Sequence, residues 1–127
     1  CAADQVLYNL GSRGIEFDLL PWLTGHSVAV MTYCPVAQAG ALQRMHPDFF
    51  TSPALTAVAK KYGVTVIQLL LAFALKNPNV IAIPKSGNSK HTEQNAAVLG
   101  LRISDDDWAL IDGEFWPPTA KMHLDIE

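Results

Sequence analysis

A chain of 127 residues, half of them hydrophobic and 17% charged, has the size and composition of one folded domain and not of a disordered segment. Its net charge of −3 and its scattered lysines and arginines exclude the clustered basic face of a nucleic-acid binder. The longest apolar run, residues 64–75, is too short to span a bilayer, and no signal-peptide pattern opens the chain, so a cytoplasmic domain without a membrane partner is expected.

In chain order, residues 2–9 (AADQVLYN) alternate as a strand does, with Val6 and Tyr8 on one face and Gln5 and Leu7 on the other. In residues 14–26 (GIEFDLLPWLTGH), Ile15, Leu19 and Trp22 recur at helical spacing, and Pro21 with Gly25 limits the helix. Residues 27–33 (SVAVMTY) are apolar nearly throughout, as a parallel strand covered on both sides should be. The connection over residues 34–52 is long for a compact domain and is expected to be functional. Residues 52–63 predict a helix with Ser52 as cap, Pro53 in its first turn and Gly63 closing it. Residues 65–78 follow directly: Thr65 and Gln68 have the capping-box spacing, the helix is apolar almost all round, and Asn77-Pro78 stops it. Residues 79–84 (NVIAIP) predict a third strand, residues 89–100 a helix ending at Gly100, and residues 104–115 a last helix. Ser104 caps that last helix, with three aspartates placed against its N-terminal dipole. The tail from Trp116 onward reads as irregular.

This βαβαβα order implies parallel strands joined by right-handed crossovers. Three parallel strands have two open edges and cannot close, so the pattern is that of part of a larger sheet. The two cysteines, Cys1 and Cys34, form neither a framework nor a metal-binding pair, and the four histidines are dispersed.

In parallel α/β folds, sites form where strands end, here at residues 5–8, 33–40 and 85–95. At the third, Lys85 can meet a phosphate as a point charge, and Ser86, Asn88 and the N–H groups of the helix start can bond its oxygens. His91, Gln94 and Asn95 lie one turn on, within reach of a base or ribose. The alternative is a capped helix beside a solvated lysine. Tyr33 is either a core filler or a platform for a planar ring; Gln5 either pairs with a carboxamide or is satisfied by a loop carbonyl. Three such groups at successive strand ends favour a nucleotide.

The segments DQVLYNLGSRGIEFDLLPW, TYCPVAQAG, YGVTVIQLLLAFALKNPNVIAIPKS and HTEQN resemble the C-terminal part of the aldo-keto reductases, most of all the bacterial reductases of methylglyoxal and similar small aldehydes. The resemblance covers nearly the whole chain. It implies an α/β fold, with residues 1–127 forming about strands six to eight, and their helices, of a (β/α)8 barrel. Because that sheet cannot close alone, the missing N-terminal half, a homo-oligomer partner or a reorganisation is expected to complete it. The cofactor implied is NADPH, and the substrate of the whole enzyme a small carbonyl compound.

Residue by residue, the resemblance places Gln5 at the nicotinamide carboxamide, Tyr33 stacked on the nicotinamide ring, and Cys34, Val36 and the loop to Gly40 over the pyrophosphate. Lys85 and Ser86 match the pair at the 2′-phosphate, Gly87 and Asn88 the turn beside it, His91 a position at the same phosphate, and Gln94 with Asn95 the adenine pair. Three positions depart from the family's pattern. Cys34 stands where serine is usual, His91 where arginine is common, and Asp4 where an asparagine would give one more amide donor. His91 in particular weakens the expected preference for NADP over NAD. No catalytic residue falls in this chain, since the family's catalytic Asp, Tyr, Lys and His come from the first half of the barrel. The expectation is a part that holds the cofactor and does not turn over alone; the alternative is a non-catalytic NADP(H)-binding or self-associating half-barrel module. Trp116 is expected either to line the pocket mouth or to cover the core.

Overall fold

Three parallel strands, β1 (Ala3–Leu7), β2 (Ala29–Tyr33) and β3 (Val80–Ala82), lie side by side in that order in the computed structural model, which describes residues 1–37 and 49–126. Each strand neighbours the next in sequence, as crossover connections require. The register sets Gln5 beside Met31 and Met31 beside Ile81, and one residue on sets Val6 beside Thr32 and Thr32 beside Ala82. Because side chains alternate along a strand, these rungs belong to opposite faces. Val6, Val30 and Val80 enter the core under the helices. On the Gln5–Met31–Ile81 face Gln5 and Ile81 are exposed, Ile81 to 48%, while Leu7 is buried. The Ile83 N–H donates to the Thr32 carbonyl at 3.2 Å, which carries the ladder one step past β3.

The helices are α1 (Leu19–Gly25), α2 (Pro53–Tyr62), α3 (Val66–Leu75), α4 (Ser89–Ala97) and α5 (Asp105–Asp112). The predicted caps are present. The Ser52 hydroxyl accepts the Leu55 N–H, both halves of the Thr65–Gln68 capping box form, and Ser104 accepts the Asp107 N–H. Gly63 closes α2 at φ 65°, a conformation glycine adopts without strain. The run from Leu69 to Ala74 is buried without a break, as the all-round apolar pattern of α3 requires.

Two expectations are corrected. The first predicted helix is two pieces, a 3-10 turn at Gly14–Glu16 and then α1, and the buried face of α1 is Leu20 and Leu23. Trp22 is 56% exposed and stacks on His26 at 4.0 Å, because the interruption between the two pieces shifts the helical phase. The helix expected to reach Gly100 is α-helical only to Ala97, and Val98–Gly100 tightens to a 3-10 turn.

A buried polar cluster ties chain start to chain end. Arg13, nearly enclosed, donates to Glu16 at 2.8 Å, to Asp112 at 2.6 Å and to the Phe115 carbonyl at 2.5 Å, with its guanidinium 4.9 Å from the centre of the Phe73 ring. Tyr8 donates to Glu16 at 2.8 Å, and its ring packs 5.6 Å from that of Phe73. Burial, reinforced by the Glu16 carboxylate, pushes the Tyr8 phenol far above its ordinary range. The other end of α5 is fastened by Asp107, which accepts from Lys61 at 2.8 Å, Tyr62 at 2.7 Å and Ser104 at 2.6 Å. These bonds hold its carboxyl down at about 2. No single helix among the described residues is long and apolar enough to cross a membrane.

Candidate functional site

Parallel strands put all three exits on one rim, so residues 5–8, 33–36 and 85–95 converge there. Gln5 pairs with Met31, and Tyr33 follows two residues later on the same face beside Leu7, which makes Gln5 and Tyr33 diagonal neighbours on that face. Gln5 is exposed and Tyr33 half-exposed, so neither serves as core filler.

Past Tyr33 the chain turns sharply. Cys34 and Ala37 both have left-handed backbones, φ 49° and 48°, and the Ala37 N–H donates to the Cys34 carbonyl at 3.0 Å. Such a conformation costs an L-residue about 1–2 kcal/mol and persists only where its surroundings hold it. Here Asn9 does so: its side-chain N–H donates to the same Cys34 carbonyl at 3.0 Å, while its Oδ1 accepts the Gly11 N–H at 2.9 Å. Thr32, on the other side of Tyr33, donates its hydroxyl to the Tyr8 carbonyl at 2.5 Å. Val36 packs onto the core. Gly40, expected over the pyrophosphate, lies outside the described residues, as does most of the long connection that follows it.

At the third exit, exposure alternates from Ile81 to Ser86 as though the strand continued, with Lys85 exposed and Ser86 half-buried. Ser86 and Asn88 build a turn: the Ser86 hydroxyl accepts the Asn88 N–H at 3.2 Å and donates to the Asn88 carbonyl at 2.9 Å. Asn88 then caps α4, its Oδ1 accepting the Lys90 N–H at 2.9 Å. The capped helix weighed against a phosphate site is therefore present, and it does not compete with one. It leaves the Lys85 ammonium and the Asn88 amide N–H groups at the helix start, a donor set that suits a phosphate. The Ser86 hydroxyl proton is committed within the turn. Gly87 has open space around it, and His91 lies exposed in the first turn of α4. Asn95, with Thr92 and Ser86, edges a groove of about 620 Å³ between β3 and α4. Gln94 is half-buried, and its carbonyl accepts from the Gln68 side chain at 3.0 Å.

Asn9, Thr32 and Gln68 were not among the expected site residues. Only Gln68 carried a local signal, and that signal spoke for its cap and not for its hold on α4. Trp116 does not cover the core: it is 79% exposed and donates its indole N–H to the Gly113 carbonyl at 2.9 Å. The tail beyond it returns to the loop after β1, where Lys121 pairs with Asp18 at 2.9 Å and Asp125 accepts from the Ser12 hydroxyl.

A three-stranded parallel sheet with its polar groups gathered on one rim defines a portion of a larger α/β fold, and the comparisons say which. The Aldo/keto reductase family matches residues 1–114, and the chain belongs to that family. It is 40% identical over 126 residues to methylglyoxal reductase YeaE of Escherichia coli, covering 99% of this chain and 43% of that protein. It is 30% identical to an NAD(P)H-dependent pentose reductase of Pyricularia oryzae over 73% of this chain and 30% of the other. Among solved structures, an aldo-keto reductase from Klebsiella pneumoniae in complex with NADPH superposes with a TM-score of 0.93 at 46% identity, covering all of this chain and 44% of that one. The chain thus spans less than half the length of these relatives, and its fold is the C-terminal portion of their barrel.

Proposed function

We propose that this chain forms most of the cofactor cradle of an NADPH-dependent reductase of small aldehydes and ketones. One observation carries the reading: the register places Gln5 and Tyr33 on one face at the same rim as the Lys85–Asn88 turn. When bound, NADPH supplies the hydride delivered to a carbonyl carbon. Gln5 orients the carboxamide, Tyr33 offers its ring face to the nicotinamide, and Cys34 with Val36 flanks the pyrophosphate, on a segment that continues to Gly40. Lys85 and the Asn88 amide take the 2′-phosphate, Ser86 and Gly87 shape the turn that presents them, and His91 adds charge when protonated. Gln94 and Asn95 serve the adenine. The proton for the carbonyl oxygen comes from outside these residues, in the remainder of the barrel. Tyr8 is not that acid, since it is enclosed and already donates to Glu16.

Fluorescence titration with NADPH and NADH tests this reading. The chain is expected to bind NADPH saturably. Lys85→Ala should weaken NADPH roughly tenfold to a hundredfold, the worth of a charge-assisted hydrogen bond, and leave NADH nearly unchanged. Equal affinity for the two nucleotides, or a Lys85→Ala variant that binds NADPH as well as its parent, would overturn the reading. Methylglyoxal-dependent oxidation of NADPH by the 127-residue chain alone would overturn the assignment of the acid elsewhere.

A second reading, a self-associating module, is favoured by the exposed apolar side chains at the β3 edge, where Ile81 and Ile83 lie on one face and are among the exposed large hydrophobics. Sedimentation that reports a concentration-dependent dimer, together with no nucleotide affinity, would select it.

A further inference from the structure

We propose that Asn9 is a positioning residue for the nicotinamide end of the cradle, acting through the backbone of Cys34 on the placement of Tyr33. The inference rests on the cofactor reading above. Asn9 is fully buried, and its backbone and side chain are both engaged. Its N–H and C=O exchange hydrogen bonds with Ser12 at 3.3 and 3.0 Å, and its Oδ1 accepts the Gly11 N–H. These three bonds make a tight turn after β1, and an aspartate would serve them equally well. The fourth bond is different in kind. The Nδ2–H reaches 25 residues along the chain to the Cys34 carbonyl, and a carboxylate has no proton to give there.

That carbonyl also accepts the Ala37 N–H, so two donors fix the peptide following a residue in the left-handed region. On the other side of Tyr33, the fully buried Thr32 is tied to the Tyr8 carbonyl. Both residues flanking Tyr33 are therefore bonded to consecutive residues of the β1 exit. The ring between them sits half-exposed, with its backbone held at either side. Asn9 touches neither cofactor nor substrate in this arrangement; it sets the angle at which the platform is offered.

Calorimetric titration of the full chain with NADP⁺ and, separately, with adenosine 2′,5′-bisphosphate tests the inference, because the second ligand lacks the nicotinamide end. Asn9→Ala is expected to weaken NADP⁺ up to about tenfold, the worth of one buried hydrogen bond, since the Cys34 carbonyl keeps only the Ala37 N–H, and to leave the bisphosphate within about twofold. Adding Cys34→Gly to that variant should recover much of the loss, since glycine takes a positive φ unaided. Should Asn9→Ala fail to fold, Thr32→Val removes the companion tie with little change of shape and should show the same split at smaller size. Equal losses on both ligands, or no loss on either, would overturn the positioning role while leaving the cofactor reading intact. A parent chain that binds neither ligand would overturn both.

Discussion

At the exits of β1 and β2 the chain is held by buried side chains: Asn9 on the Cys34 carbonyl, Thr32 on that of Tyr8, and Arg13 enclosed between Glu16 and Asp112. At the exit of β3 the corresponding stretch lies in solvent. Lys85, Gly87, Asn88 and His91 are exposed, and α4, which has no fully buried residue, carries its own cap and takes a bond from Gln68 on α3. The contrast matches what each end of a dinucleotide asks of a protein. A reacting ring must be held at a fixed angle, and preset backbone geometry supplies that. A phosphate is recognised by charge and donors that tolerate movement, and a solvated lysine at a helix start supplies those.

The comparison breaks most severely at Arg13. Arg13→Ala would leave Glu16 and Asp112 without their shared cation and would remove the guanidinium packed on Phe73. Removing one partner of a buried ion pair costs about 3–5 kcal/mol. Against a total stability of about 5–15 kcal/mol, urea denaturation should show the midpoint falling by about a fifth or more. A loss under about 1 kcal/mol would mean that the clamped side is no more tightly built than the open one.

The two sides also differ in how they could be read from sequence. The open side is made of local signals. Asn88 and Ser86 act on residues two away, and the caps at Ser52, Thr65 and Ser104 act within three. Residue type and spacing carry such signals directly. The clamped side is made of pairings that only the folded chain creates: Asn9 with Cys34 across 25 positions, Arg13 with Asp112 across 99. Nothing in the neighbourhood of Asn9 announces that its amide will find a carbonyl at the end of another strand. The misread phase of α1 has the same origin. The helical spacing of Ile15, Leu19 and Trp22 ran across a break that became visible only once Ile15 was seated in the core.

On the open side, charge can be added without disturbing the fold. His91→Arg places a permanent cation with planar donors in the first turn of α4. NADP⁺ affinity is expected to rise several-fold, with a steeper salt dependence, while NAD⁺ affinity and the melting temperature stay where they are. If NAD⁺ tightens equally, residue 91 does not face the 2′-phosphate, and the division into a geometric end and an electrostatic end loses its second half.

Acid provides a gentler probe of the clamped side through its most distant support. Asp107 anchors the first turn of α5, and α5 delivers Asp112 to Arg13 at its other end. Its hydrogen bonds to Lys61, Ser104 and Tyr62 hold the Asp107 carboxyl at about 2, below the ordinary 3.8. A depressed carboxyl contributes stability that is fully present above the ordinary value and is lost as pH falls from about 4 through about 2. Asp107→Asn forgoes that contribution at every pH. Thermal melts of parent and variant should therefore differ by a constant amount above about pH 5 and converge as pH approaches 2. A gap that persists at pH 2 would mean that Asp107 holds α5 by its shape and not by its charge, and that the clamp on the β1 and β2 exits owes nothing to acid-sensitive support at that end.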